Sequence, residues 1–228
     1  MVQKRNPPQP RSRRPQPKAK AAQPVAATAA PKRRGRPRAY EPEIALARAL
    51  DVFWKEGFAA TSLDDLSAAT GMNRPSLYGA FGDKRELYIK SYESYRKRAR
   101  DRMGEVFLLD MKLRQLLEQI FAIALDMYLS GQDGPRGCFT VMTATSEAVF
   151  DPKIRDLVIT GLDEMDRYFA RILKRAQERG ELAASADPEV LANLLSATIH
   201  TIAIRARAKV PRAELDAIVK GALDVICR

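Results

Sequence analysis

From residue 41 onward, apolar residues recur every three or four positions in almost every segment of the chain. The pattern starts at Leu46 and Leu50 and runs to Ala222 and Ile226 near the end. Spacing of this kind places apolar side chains on one face of an α-helix and leaves the other face polar. The sequence shows no strand hairpin and no internal repeat, so the chain is predicted to be all-α.

Capping signals divide residues 41–86 into three helices and the start of a fourth. Residues 62–65 have the pattern of a capping box, and they open a short helix that Gly71 ends. Asn73 is placed to cap the third helix, and residues 83–86 form a second capping box. Because a glycine in the connecting turn lets two helices cross steeply, the second and third helices are predicted to form a helix-turn-helix.

The third of these helices presents polar residues that suit the major groove of DNA. Arginine can donate to guanine and asparagine can pair with adenine, while serine and tyrosine hydroxyls can hold phosphates. The residues concerned are Asn73, Arg74, Ser76 and Tyr78. The pattern alone is a weak signal, since steep helix corners occur in many helical proteins.

Residues 87–228 repeat the helical spacing and are predicted to form a larger helical domain. Residues 138–150 are ambiguous, because Phe139, Thr140 and Val141 favour a strand, and we predict a helix there. The basic run at residues 96–102 is expected to be a solvated helix face, with phosphate contact as the alternative.

The two closing helices carry unusually extensive apolar surface. Residues 188–208 have usable stripes on two nearly opposite sides, which is typical of a helix packed between partners. Together with the helix after Pro211, they are predicted to pair with their symmetry mates in a four-helix dimer interface. Packing only within the chain is the alternative. The predicted interface residues are Leu191, Leu195, Thr198, Ile202, Ile218, Ala222 and Ile226.

The basic charge of the chain is concentrated at its beginning. Of the 39 lysine and arginine residues, twelve lie in residues 1–40, which contain no acidic residue. The other 27 stand against all 28 acidic residues, so residues 41–228 are close to neutral. A basic tail indicates binding to a polyanion, most often nucleic acid and less often an anionic membrane, with a merely solvated tail as the alternative.

Residues 1–39 are predicted to be a disordered tail, because they combine eight of the fourteen prolines with alanine and basic residues. The stretch around Val25 is too weakly apolar for a secretory signal, and no run approaches the roughly 18 apolar residues of a membrane span. Two cysteines, Cys138 and Cys227, give no disulfide framework. A cytoplasmic protein without a membrane partner is therefore expected.

Residues 44–88 resemble the N-terminal DNA-binding domain of TetR/AcrR-family transcriptional regulators. Beyond them the resemblance holds in helix number and order and in the stretches 136–139 and 151–152. The combination of matching residues is specific. They are residues 49–58, 61–63, 69–72 and 76–78, with Phe81, Asp83 and Lys84.

The resemblance implies a three-helix DNA-binding domain at residues 40–86 and a helical effector-binding and dimerisation domain at residues 87–228. It implies a homodimer in the bacterial cytosol and nucleoid that binds a palindromic operator in double-stranded DNA. A repressor that an unidentified small-molecule effector releases is the family's usual form, and no cofactor is implied. A transcriptional activator of the same fold is the alternative.

The resemblance also implies residue roles. Tyr78 and Lys84 are similar to the family's phosphate-contacting tyrosine and lysine, and a helix N-terminus beside Lys84 itself favours phosphate. Gly79 and Ala80 replace the bulky residues that many relatives carry, so the contacts of that pair are not carried over. The implied DNA-binding residues of the two helices and the next helix start are Thr61, Ser62, Asn73, Arg74, Ser76, Tyr78 and Lys84.

Several apolar and aromatic residues are candidates for an effector pocket, with plain core packing as the alternative. Cys138 follows a glycine at a predicted helix start, so a redox or electrophile sensor is one interpretation and a buried apolar cysteine the other. His200 is the sole histidine and has no ligand partner at metal spacing, so no metal site is expected. The candidates are Phe121, Tyr128, Cys138, Met142, Phe169 and His200.

Two other classes of function are weighed against a regulator. An enzyme is disfavoured, because the chain has one histidine, no P-loop or G-x-G-x-x-G, and no recognisable nucleophile and base. A nucleoid-type protein acting through the basic tail would bind DNA without sequence preference. Discrimination between a palindromic site and random DNA separates it from a regulator.

The end of the tail has a pattern of its own. Residues 34–37 resemble the core of an AT-hook, in which glycine and proline keep the strand slim. Arg34 and Arg36 are predicted to enter a narrow minor groove beside the DNA-binding domain predicted at residues 40–86. Five extended residues span about 15 Å. This length is enough to reach from a DNA-binding domain in the major groove towards the neighbouring minor groove.

Overall fold

The computed structural model describes residues 41–131 and 134–227. The predicted tail with Arg34 and Arg36 lies outside these residues. Within them the chain is helical and has no strand, which confirms the all-α prediction. The elements are α1 (Pro42–Ala60), α2 (Leu63–Thr70), α3 (Arg74–Phe81), α4 (Lys84–Phe107), α5 (Leu113–Leu129), a π-helical segment (Thr140–Ala144), α6 (Thr145–Glu147), α7 (Pro152–Glu178), α8 (Pro188–Arg207) and α9 (Arg212–Ile226).

Local capping sets the bounds of the short helices. The Ser62 hydroxyl accepts from the Asp65 amide at 3.1 Å, and the Asp65 carboxylate accepts from the Ser62 amide at 2.8 Å, which completes the capping box. Gly71 ends α2 with φ 71°, a left-handed conformation that glycine adopts without strain. Asn73 then accepts from the Ser76 amide at 2.9 Å and opens α3. The predicted helix-turn-helix is therefore present.

One aromatic cluster joins the reading head, which comprises α1 to α3 and the start of α4, to the rest of the fold. Phe139 is fully buried and its ring centre lies 5.4 to 5.8 Å from those of its neighbours. These neighbours come from α1 and α4 and are Trp54, Tyr88, Tyr92 and Tyr95. Burying five aromatic rings together is a large stabilising contribution, and it fixes α1 and α4 against the segment after α5.

The segment predicted as a helix at residues 138–150 is helical over a shorter range, and its first part is a π-helix. Two tyrosine hydroxyls from α4 donate to its threonines. Tyr88 donates to Thr143 at 3.2 Å, and Tyr92 donates to Thr140 at 3.1 Å. Because π-helical turns are rare and are frequently found at functional sites, this segment is a natural place to look for a ligand.

The larger helical part has its own core, formed by α5, α7, α8 and α9. Phe121 and Phe169 lie in it as fully buried, stacked rings 6.3 Å apart. None of the helices in the described ranges is long and apolar enough to cross a bilayer.

Candidate nucleic-acid interface and ligand cavity

The outer face of α3 is polar and exposed to solvent. Leu77 and Phe81 are buried and anchor the helix to the core, so the opposite face is turned to solvent. That face carries the four polar residues predicted for the major groove. All of them are exposed, and they are Asn73, Arg74, Ser76 and Tyr78.

Arg74 is held in place by an acid that the sequence reasoning missed. Its Nε donates to Asp64 Oδ1 at 3.0 Å and its Nη2 to Oδ2 at 2.7 Å. The hydrogen bond to Asp64 raises the pKa of Arg74, so the guanidinium stays charged. Exposed pairs of this kind contribute little stability, so Asp64 orients the Arg74 guanidinium at small energetic cost for breaking the pair.

Thr61 and Ser62, both predicted at the DNA backbone, differ in the structure. Thr61 is only 1% exposed, and its hydroxyl donates to the Gly57 carbonyl at 2.6 Å. Its side chain therefore stabilises the entry to α2 and is not available to DNA. Ser62 is exposed, although its hydroxyl already serves the capping box.

Lys84 begins α4 and lies against the end of α1. Its Nζ is 4.5 Å from the centre of the Phe58 ring and donates to the Ala59 carbonyl at 3.4 Å. An ammonium group has three donors, so these contacts leave donors for a phosphate. The side chain is partly buried, which restricts where its charge points.

A second link joins the reading head to α7. The Arg85 guanidinium makes a bidentate contact with Asp151, with Nη2 at 2.9 Å from Oδ1 and Nε bonded to Oδ2. This contact lowers the pKa of Asp151, which also caps α7 by accepting from the Lys153 and Ile154 amides. The start of α4 and the start of α7 are therefore tied through one carboxylate.

A cavity of about 170 Å³ lies between α4, α5, α7 and α8. Tyr128, Cys138 and His200, three of the predicted pocket residues, line it. Met142, Phe121 and Phe169 do not line this cavity. Phe121 and Phe169 pack in the core instead. Apolar residues at helical spacing are expected both in a core and in a pocket wall, so the sequence alone could not distinguish the two. The apolar part of the wall includes Ala99, Ile120, Ile123, Met165 and Ile199.

Polar groups in this cavity are strongly shielded. Burial raises the pKa of Tyr95 and of Tyr128 well above the usual value, and it lowers the pKa of His200. The Tyr95 hydroxyl lies 3.6 Å from the Cys138 sulfur. His200 is therefore neutral at neutral pH, and Cys138 is a buried thiol among aromatic rings.

Arg96 corrects the expectation of a solvated basic face on α4. Its neighbours Lys97 and Arg98 are exposed, but Arg96 is only 7% exposed and lines the cavity. Its Nη2 donates to Glu164 of α7 at 2.8 Å. Charged residues are rarely buried unless they are paired, and the partner here lies 68 positions away in the sequence.

Comparison with known proteins agrees with this geometry. Residues 45–90 match the family described as bacterial regulatory proteins, tetR family. Residues 112–221 match the tetracyclin repressor-like C-terminal domain. The HTH-type transcriptional repressor ComR of Escherichia coli (strain K12) is 31% identical over 177 residues, which cover 77% of this chain and 84% of ComR. The chain belongs to the TetR family.

Solved structures extend the comparison for this TetR-family protein. CifR, a TetR family transcriptional regulator, has been solved as a cysteine mutant complexed with a 26-base-pair operator DNA. It shares 32% sequence identity with a TM-score of 0.72, covering 83% of this chain and 98% of that chain. The reduced form of NemR from E. coli has the same TM-score of 0.72 at 18% identity, covers 81% of this chain and 95% of that chain, and shows the fold.

In this TetR-family chain, the face of the closing helices that was predicted to form a dimer packs largely inside the chain itself. Leu195 and Ile202 of α8 and Ile226 of α9 lie in the chain's own core. There α8 packs on α5, α7 and α9. Leu191 and Ile218 pack beside them, and Thr198 and Ala222 are half-buried. The exposed apolar side chains of α8 and α9 are instead Val190, Leu194, Ile204 and Val225.

Proposed function

We propose that this protein is a homodimeric, ligand-responsive repressor that reads a palindromic operator with α3. The observation that carries the proposal is the exposed polar face of α3, held on a steep two-helix corner by a buried inner face. The relative ComR, which is named a transcriptional repressor, and the operator complex of CifR support it. The division into a reading head at residues 40–86 and a helical domain at residues 87–228 is part of the proposal, and no catalytic step is included.

The dimer is proposed to form through the outer faces of α8 and α9. Val190, Leu194 and Ile204 are about half exposed on α8, and Val225 is similarly exposed on α9. Val190, Leu194 and Ile204 recur at a spacing that places them on one side of α8, and several exposed apolar side chains on one face favour an interface. A two-fold dimer presents two copies of α3, so the operator is proposed to be a palindrome with half-sites about 34 Å apart or a multiple of it.

The basic tail is proposed to supply charge that the reading head lacks. Residues 40–86 contain five basic and eight acidic residues, so the net charge of the head does not attract DNA. The twelve basic residues of the tail offset this deficit. Arg34 and Arg36 are proposed to enter the minor groove beside the head, as homeodomain arms do.

The cavity is proposed to bind the effector. Thr140, in the π-helical segment, lines the cavity and accepts from Tyr92 of α4, the helix that begins at the reading head. An effector that binds the DNA-free arrangement more tightly than the DNA-bound one shifts the population away from the operator.

Selection of DNA sites from a random pool tests this function. The purified protein is expected to enrich a palindrome and to bind it about a thousandfold more tightly than random DNA. A reporter gene placed behind that site is expected to be silenced by the protein. Equal affinity for all sequences would instead favour the nucleoid-type alternative, and raised transcription would favour an activator.

Lys84→Ala is expected to weaken binding to every DNA sequence, because the side chain is proposed to hold a phosphate. The slope of log affinity against log salt should fall by about one for each phosphate that the variant no longer neutralises. Lys97→Ala is the matched control, since Lys97 is an exposed α4 lysine paired with Asp101 away from the head. An unchanged slope for Lys84→Ala would remove the proposed phosphate contact.

Arg74→Ala is expected to relax the preference at particular base pairs by about tenfold or more, because arginine reads guanine edges. Binding to a series of singly mutated operators measures this. Asp64→Asn retains Arg74 and is expected to keep the preference. A uniform loss of affinity for Arg74→Ala across the series would contradict a base-reading role.

A further inference from the structure

Two polar groups in the wall of the cavity have no hydrogen-bond partner among the described residues. They are the Nε of Arg96 and the hydroxyl of Tyr168, and both atoms are shielded from solvent. Arg96 is 7% and Tyr168 is 2% exposed, and both residues line the cavity. Buried donors are paired in the great majority of cases, so two of them in one cavity indicate a site for a molecule that carries acceptors.

The charge of the same wall favours an anion. Glu164 is bonded to Arg96 at 2.8 Å and to Arg100 at 3.5 Å, so one carboxylate stands between two guanidinium groups. Arg102 also lines the cavity, while His200 is neutral there because burial lowers its pKa. Arginine cannot lose its proton in a protein, so Arg96 stays charged although it is buried, and Arg100 and Arg102 add positive charge from exposed positions of the wall.

The space beside Arg96 is left open by a glycine of α7. A Cβ atom at Gly161 would lie 3.3 Å from the Arg96 Nε and 3.8 Å from the Tyr92 hydroxyl. A methyl group there would crowd the Nε of Arg96 from the side of α7. Gly161 therefore keeps this side of the Arg96 guanidinium uncrowded, and a side chain there would hinder a ligand from approaching it.

The size of the cavity limits the rest of the ligand. A cavity of about 150 Å³ lined by apolar side chains binds benzene, and this one has about 170 Å³ with a largely apolar wall. Along α7, Gly161 and Tyr168 are separated by two helical turns, or about 10 Å. A single ring with a polar group at each end, together with the hydrogen bond that each group makes, has a length of this order.

We propose that the cavity binds a small ring-bearing carboxylate with a polar substituent opposite the carboxylate. The carboxylate accepts from Arg96 beside Gly161, the ring lies along α7, and the substituent bonds to the Tyr168 hydroxyl. This ligand is the effector of the proposed function, and its effect on DNA binding rests on that function. Binding of the carboxylate does not depend on it.

Calorimetric titration of the full chain tests the two polar ends with 4-hydroxybenzoate, benzoate and 4-hydroxybenzamide as probes. We expect 4-hydroxybenzoate to bind most tightly and the neutral amide at least tenfold more weakly. Arg96→Gln should remove the difference between acid and amide. Tyr168→Phe should remove the difference between 4-hydroxybenzoate and benzoate, while leaving the affinity for benzoate unchanged.

Gly161→Ala separates binding from folding. Alanine favours a helix interior over glycine, so the variant should be folded, yet it should bind 4-hydroxybenzoate at least tenfold more weakly. Gly104→Ala on α4 is the matched control, because no atom lies within 4 Å of its added Cβ. Unchanged binding by Gly161→Ala would overturn the assigned position of the carboxylate.

Two further outcomes also test the proposed ligand class. Equal affinity for acid and amide, or no heat with any of the three probes, would overturn the proposed ligand class. Operator binding is measured separately on the same protein. Binding to the operator without binding to any carboxylate would support the proposed function and overturn the proposed ligand class. Binding to the carboxylate without specific DNA binding would support the ligand class and contradict the proposed function.

Discussion

Deletion of residues 1–39 is expected to lower operator affinity by about a hundredfold or more at 0.1 M salt, the largest effect on DNA binding that we predict. Each phosphate contact contributes about 0.9 to the salt slope, so three contacts from twelve basic residues are enough. The reading head carries more acids than bases and cannot replace them. Mobility-shift titrations at several salt concentrations measure both the affinity and the slope.

A shorter deletion locates the effect. Removing residues 1–30 takes away seven of the twelve basic residues and leaves Arg34 and Arg36 in place. If the AT-hook-like segment is the working part, this chain should retain most of the affinity. Both shortened chains should keep the same preference among mutated operators, because α3 reads the bases. Full affinity after deletion of residues 1–39 would mean that the tail has no role in binding.

Phe139→Ala is expected to lower the free energy of unfolding by about 3–5 kcal/mol, the largest effect on stability that we predict. Phe139 is fully buried and contacts four aromatic rings, with its centre 5.4 Å from that of Tyr92 and 5.6 Å from that of Trp54. Truncation leaves a cavity between the head and the helical domain. Urea unfolding followed by the fluorescence of Trp54, the sole tryptophan, reports the change directly.

The matched control for this variant is Phe150→Ala. Phe150 is 84% exposed, so its truncation should change the free energy of unfolding by less than about 0.5 kcal/mol. Phe139→Leu keeps an apolar side chain of similar size and should lie between the two. Equal stability of Phe139→Ala and Phe150→Ala would contradict the role assigned to the aromatic cluster.

The features that the sequence predicted well are decided by neighbouring residues. Ser62 and Asp65 complete a capping box over four residues, and Gly71 adopts a left-handed conformation that few other residues tolerate. Because these preferences are local, the helix-turn-helix and its exposed outer face could be predicted from the chain. The family resemblance added residue roles to that geometry.

The features that the sequence predicted poorly depend on residues far away in the chain. Arg96 stands in a basic run and is buried because Glu164 and the cavity wall meet it from α7. On α8, Leu194 is 50% exposed while Leu195 is fully buried, although both are apolar. A helix with apolar residues on two faces gives no local sign of which face packs inward. The residues predicted for the dimer interface therefore included several that are buried in the chain's own core.

Because α4 is one unbroken helix from Lys84 to Phe107, it connects the proposed effector cavity rigidly to the reading head. Lys84 at its start and Arg96 in the cavity wall are separated by about 18 Å along the helix axis. A tilt of about 6° around Arg96 therefore moves the reading head by about 2 Å, and a two-fold dimer doubles that to about 4 Å between the two copies of α3. Hydrogen bonds to base edges tolerate only a few tenths of an ångström, so a small ligand needs to turn this helix only slightly to end recognition.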